Sequence, residues 1–308
     1  MITVPSTPLL RASEGSGLGP IGLRFRSILV ATDCSPASAT AVKLAARLAK
    51  EFQAKLCVLH AIAPEFYAVD LYGPAPELEL MNLESAHQDL HNYAQHIPDL
   101  RTAKHEEIVF LGSVEDAIQS AGKAHGIDLL VLGSHGRTGF AKLAFGSIAE
   151  WAIRRLDYPV LVAGPACDRN MFPIKSIVLA TDPTQHALRS TQYAASLAQD
   201  YNSRLTVMTV LSPSKTKEDQ ARAELSAKES LQQLLPSDCG DWCTPKCEVK
   251  SGEIAPAILQ SAQESKANLI VLAAKHRPPL ADHRPRTKLA AIIGASRCPV
   301  LVVPSRCS

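Results

Sequence analysis

Short, nearly unbroken runs of Val, Ile and Leu punctuate the chain at about 26–32, 55–62, 106–111, 128–133 and 159–163. Runs of this kind suit parallel strands buried on both faces. The segments between them carry a helical period instead. In Pro36–Phe52, for example, Ala41, Leu44, Ala45 and Leu48 fall on one face. Ser35-Pro36 reads as the start of that helix, a hydroxyl cap followed by proline at the first helical position. Five strands joined by four crossover helices predict an open α/β layer fold. In such sheets ligands bind beyond the carboxyl ends of the strands, where the strand order reverses. Candidate chemistry is therefore sought at Asp33, Ala61 and Gly133, the predicted ends of strands one, two and four.

The whole pattern occurs twice. Ser27-Ile-Leu-Val-Ala-Thr-Asp33 returns as Ser176-Ile-Val-Leu-Ala-Thr-Asp182, a shift of 149 residues. Asp128-Leu-Leu-Val-Leu returns as Asn268-Leu-Ile-Val-Leu, and Tyr158-Pro-Val-Leu-Val as Cys298-Pro-Val-Leu-Val, both at a shift of 140. A repeat of this length is a duplicated domain rather than a solenoid. The first copy carries nine extra residues near the Pro-rich stretch Ala63–Leu80, a candidate lid on a ligand. The expected organisation is a flexible Gly/Pro/Ser-rich tail over 1–24, a first domain over 25–165, a linker over 166–173 and a second domain over 174–305.

Charge narrows the function. Lys plus Arg number 32 against 30 Asp plus Glu, a formal net charge of +2 in 308 residues. That balance argues against nucleic-acid binding through a basic face and against a polybasic membrane anchor. No apolar run approaches the roughly 18 residues of a membrane span. The N-terminus lacks a positive start followed by an apolar stretch, so a cytoplasmic location with mostly reduced cysteines is expected.

The strongest chemical signal follows the fourth strand. Gly133 and Gly136 are separated by two residues, and nine more precede Gly146-Ser147. The glycines allow unusual turns and leave room for a ligand against the backbone. Gly146-Ser147 opens an amphipathic helix, Ile148–Leu156, with Ile148, Trp151, Ala152 and Leu156 on one face. The free amides and positive dipole end of such a helix suit phosphate, and the Ser147 hydroxyl adds a donor. Arg137 is a further candidate phosphate contact.

This spacing resembles the G-2x-G-9x-G-[ST] motif of the nucleotide-binding branch of the universal stress protein family, and the resemblance extends over both halves. It implies two tandem Rossmann-like α/β domains. Each has an open, mostly parallel five-stranded sheet of order 3-2-1-4-5 with helices on both faces. It further implies ATP, with AMP or ADP as alternatives, at the strand ends, with Mg²⁺ or Mn²⁺ carried on the phosphates. Asp33 would meet the ribose or adenine edge and the backbone near Ala61 the adenine. Gly133, Gly136, Gly146 and Ser147 would hold ribose and phosphates. By the same resemblance the last strands of the two domains would pair, Val160–Ala163 with Val300–Val303, as an intrachain pseudo-dimer. Association into a homodimer and an unidentified regulatory protein partner are compatible with it.

The second copy has lost the loop. Gly133, Gly136, Gly146 and Ser147 become Ala273, His276, Arg286 and Thr287, with three prolines between His276 and Arg286. Proline removes backbone donors, so one nucleotide site per chain is expected, in the first half. Gly17-Leu-Gly19-Pro-Ile-Gly22 matches a dinucleotide fingerprint only literally, since it precedes the first strand. Cys239, Cys243 and Cys247 lie four apart and leave incidental, redox and metal readings open. No catalytic residue and no metal ligand is assigned. His135, between the glycines, has no visible partner for catalysis. The leading function is an ATP-binding regulatory module of the stress response. The alternatives are a slow ATPase or nucleotidyl-transferring enzyme at the same site, and a nucleotide-independent scaffold or redox sensor.

Overall fold

A computed structural model describes residues 25–62, 76–134, 146–167, 172–184, 187–214, 216–236, 239, 244–275 and 287–305. The first half runs β1 (Ser27–Ala31), α1 (Ala39–Phe52), β2 (Lys55–Ile62), α2 (Pro76–Gln95), a short α3 (Pro98–Arg101), β3 (His105–Leu111), α4 (Val114–His125), β4 (Leu129–Gly133), α5 (Ser147–Arg155) and β5 (Val160–Ala163). The second repeats the order with β6 (Ser176–Ala180), α6 (Leu188–Asp200), β7 (Arg204–Leu211), α7 (Lys217–Leu234), β8 (Lys246–Ser251), α8 (Ile254–Glu264), β9 (Leu269–Lys275), α9 (Thr287–Ala295) and β10 (Val300–Ser305).

Each half keeps the expected strand order, but the two sheets are not separate. They form one ten-stranded sheet, β3-β2-β1-β4-β5-β10-β9-β6-β7-β8. All pairings within a half are parallel, and the seam is antiparallel, with Leu161 opposite Leu301. The seam residues are apolar and buried on both strands, so pairing them covers two edges that would otherwise template association.

The predicted strands are continuous apolar runs because both faces of the sheet are covered. Ile28 and Val30 point into one layer and Leu29 into the other, all at 0% exposure. One layer packs under α1, α2, α3, α6 and α7, and the opposite layer under α4, α5, α8 and α9. Both layers run across the seam. There Phe25 stacks on Tyr193 at 5.8 Å and Phe52 meets Tyr201 edge-on at 6.0 Å. Arg189 donates to the carbonyls of Asp157 and Pro304, tying the last turns of both halves. Gly164 is required by the same joint. A Cβ there would fall 2.1 Å from the Ile293 carbonyl oxygen of α9.

One boundary departs from the sequence reading. The first helix begins at Ala39, three residues later than Pro36; Ser35–Ser38 form a turn closed by Ser38 N–H to Ser35 O at 3.2 Å. The apolar face of α5 is as expected: Ala152 and Leu156 are buried in one layer with Ile148 and Trp151 packed half-buried against it, and Ala149 and Ile153 join them.

Candidate functional site

The carboxyl ends of β1 and β4 lie side by side at the point where the strand order reverses, because β2 continues from β1 on one side and β4 lies on the other. Crossovers leave this point in opposite directions, which opens a crevice above it. Gly133 is the last residue of β4, and Ser134 N–H donates to Ala163 O at 3.0 Å to keep the turn beside β5. Gly146 returns to the same place. A Cβ on it would sit 3.0 Å from the Ser134 carbonyl oxygen, so the absent side chain lets the start of α5 close on the end of β4. Gly133, Gly146 and Ser147 are therefore brought together, although Gly133 and Gly146 are 13 residues apart.

The first turn of α5 has the features an anion needs. Gly146 is its N-cap with extended backbone (φ −73°, ψ 148°), and no side chain caps the helix. Ser147 is exposed. Among the described residues no side chain caps these first-turn amides, which lie at the positive end of the dipole. Gly136, Arg137 and His135 fall outside the described residues, as does the Ala63–Ala75 part of the candidate lid.

Asp33 and Ala61 stand at the ends of neighbouring strands. Asp33 follows β1, and its Oδ1 accepts from Ser35 N–H at 3.0 Å and Ser35 Oγ at 2.6 Å. The carboxylate thus shapes the loop into α1 as well as facing the crevice end of the sheet. Ala61, the penultimate residue of β2, is half-buried and pairs with Phe110 of β3.

A supporting network was not legible from motifs. Thr32 and Ser38 hydroxyls share a 2.7 Å hydrogen bond, Ser38 Oγ reaches Tyr93 OH of α2 at 3.0 Å, and Cys34 N–H donates to Thr32 Oγ1. Cys34 is held at φ 59°, so the chain reverses sharply just after Asp33. Buried His60 of β2 places Nδ1 2.9 Å from the Thr32 carbonyl oxygen. Burial pushes the Tyr93 phenol up, which keeps it a neutral hydroxyl able to donate. The only hint in the sequence was the run of hydroxyls Thr32, Ser35 and Ser38; the partners His60 and Tyr93 come from other elements.

The second half differs at the corresponding point. β9 does not turn away at Ala273, the counterpart of Gly133, but continues to Lys275, paired with β10 through Ser305. Ser305 Oγ donates to Ala274 O at 3.0 Å and fastens that extension. The stretch 276–286 lies outside the described residues.

The sequence profile of the universal stress protein family matches residues 24–164 and again 173–304. Universal stress protein MJ0531 of Methanocaldococcus jannaschii is 27% identical over 139 residues, which cover 45% of this chain and 81% of that protein. Universal stress protein YxiE of Bacillus subtilis is 28% identical over 153 residues, covering 45% of this chain and 98% of its own. Among solved structures, a universal stress protein from Archaeoglobus fulgidus covers 92% of this chain and 100% of its own. It does so at a TM-score of 0.68 and 19% identity, a likeness of fold.

Proposed function

The chain belongs to the universal stress protein family, in tandem form, and from that premise we propose that its first half binds an adenine nucleotide, ATP foremost, as the ligand of a stress-response regulatory module. The observation that carries this reading is the glycine-lined approach of α5 to β4. A Cβ on Gly146 would press on the Ser134 carbonyl oxygen at 3.0 Å, no side chain among the described residues caps the helix, and the G-2x-G-9x-G-S spacing runs through it. A polyanion is the natural complement of such a helix start. The described residues fit the nucleotide. Gly133, Gly146 and Ser147 would hold phosphates and ribose, Asp33 the ribose or adenine edge, and the Ala61 backbone the base. Gly136 and Arg137 would complete the loop. Mg²⁺ or Mn²⁺ would arrive with the phosphates. In this reading the ligand supplies a signal, occupancy that a protein partner can sense, rather than a reacting bond.

The second half supports a single site per chain. Its β9 keeps pairing past the place where β4 turns off, and Arg286 stands where the first half has Gly146. Isothermal titration of the whole chain with ATP and Mg²⁺ tests both points. One equivalent is expected, and Gly146→Arg, which copies the second half, should weaken it by at least about tenfold, the order of one lost charged hydrogen bond. Two equivalents, no binding, or an unchanged affinity in the variant would overturn the reading. ADP release followed in the same samples distinguishes a binding module from a hydrolase.

A further inference from the structure

At the opposite end of β2 from the crevice, three side chains from different elements converge. Cys57 of β2 is fully buried and lies opposite Glu106 of β3 in register, so both project to the same face of the sheet. His125, the last residue of α4, closes over that face. One donor atom of each lies within 4.8 Å of the other two, and His125 Nδ1 stands 3.6 Å from Glu106 Oε2. That separation already matches two ligands on one tetrahedral ion, whose bonds run about 2.0–2.3 Å.

A cation already sits among these groups. Lys55 Nζ lies 2.9 Å from Glu106 Oε2 and 3.0 Å from His125 Nδ1. It is also near enough to the Cys57 thiol to act on it electrostatically. An ammonium can only donate, so in this contact the His125 Nδ1 atom is turned toward the cluster.

The duplicated half provides a control built from the same architecture. There the counterparts of Lys55, Cys57, Glu106 and His125 are Arg204, Thr206, Lys246 and Ser265. Thr206 and Lys246 face each other in the same register as Cys57 and Glu106. The fold thus forms this corner without any of the three ligands, and packing does not require them. Nor does the strand order demand a buried thiol beside an imidazole and a carboxylate.

We propose that Cys57, Glu106 and His125 form a three-ligand site for a borderline-soft divalent ion, Zn²⁺, with Lys55 as the resident cation that the metal displaces. Thiolate, imidazole and carboxylate together select Zn²⁺ over Mg²⁺ or Ca²⁺, which take all-oxygen shells. Three protein ligands leave the fourth tetrahedral position to water. On binding, the Cys57 proton leaves to solvent and the Lys55 side chain swings outward along the exposed rim. The site does not depend on nucleotide. Cys57 and Ala61 are four residues apart on one strand, about 13 Å along it, and the two ligands would approach from opposite ends.

The test is Co²⁺ titration of the reduced, chelator-stripped full chain, followed by the thiolate-to-cobalt charge-transfer absorption, with Zn²⁺ added to displace it. One equivalent is expected, with the band abolished in Cys57→Ser and unaffected by joint replacement of Cys239, Cys243 and Cys247 with Ser. Should Cys57→Ser not fold, Glu106→Gln at the exposed rim carries the test and should bind about tenfold or more weakly. The distinguishing variant is Lys55→Met. Removing the competing charge should tighten Co²⁺ binding about tenfold or more, which a casual surface site would not do. No band in the wild type, a band that survives in Cys57→Ser, Glu106→Gln with wild-type affinity, or Lys55→Met with unchanged or weaker affinity would each overturn the proposal.

Discussion

Tyr158, with no bearing on the crevice, illustrates how burial sets behaviour at the scale of a single side chain. Tyr158, after α5, has a buried hydroxyl without a hydrogen-bond partner among the described residues, and it lies 2.9 Å from where a Cβ on Gly122 would stand. Burial raises its pKa from 10.0 to about 12. Between about pH 10 and about pH 12 the unfolded chain gives up this proton while the folded chain keeps it. Stability is therefore complete below about pH 10 and falls by up to about 3 kcal/mol as pH rises through that window. Tyr158→Phe should make this alkaline limb shallower, not flat, because burial also pushes Tyr93 and Tyr201 upward. At neutral pH the same change removes an unsatisfied hydroxyl and should leave stability unchanged or raise it by up to about 1 kcal/mol. Urea unfolding across pH 7–11 checks both; a neutral-pH loss above that size would mean the hydroxyl has a partner.

At the scale of elements, the two halves solve one problem with two side chains. Asp128 accepts the amides of Arg26 and Ser27 at 2.8 and 3.2 Å, clipping the start of β1 to the start of β4. Asn268 does the same for β6 and β9, taking the amides of Lys175 and Ser176 on one oxygen. Burial pushes the Asp128 carboxyl up despite those amides, so its charge is held at some cost. Asp128→Asn should therefore shift stability by no more than about 1 kcal/mol in either direction, read from urea midpoints. A loss several times larger would show that the charge itself matters. The repeat and the strand runs were readable because continuous Val, Ile and Leu can only be buried on both sides. The start of α1 was not, because the capping signal at Ser35-Pro36 lost to a side-chain network that only Tyr93 of α2 completes. Asp33 takes Ser35 for the loop, and Ser38 is drawn to Thr32 and Tyr93. Gly133, Gly146 and Ser147 were legible as a spaced motif, whereas His60, Tyr93 and the Cys57 corner were not. Their partners meet only through strand register and helix packing.

For the whole molecule the seam decides cooperativity. Leu301 and Leu161 face each other across β10 and β5 at 1% and 4% exposure, and both apolar layers are continuous there. Leu301→Ala should cost about 2–5 kcal/mol. Both halves should still melt in one calorimetric transition at a lower temperature. Two resolved transitions would show that each half is stable alone. The antiparallel seam has one more effect. It points the strands of the two halves in opposite directions, so the crevice of the first half and its altered counterpart in the second open toward opposite poles of the protein. Each pole of the protein thus carries the crevice end of one copy and the strand starts of the other. The two strand-end crevices of a single chain face away from each other, and because the second is altered the duplication yields a polarised particle instead of a pair of like clefts.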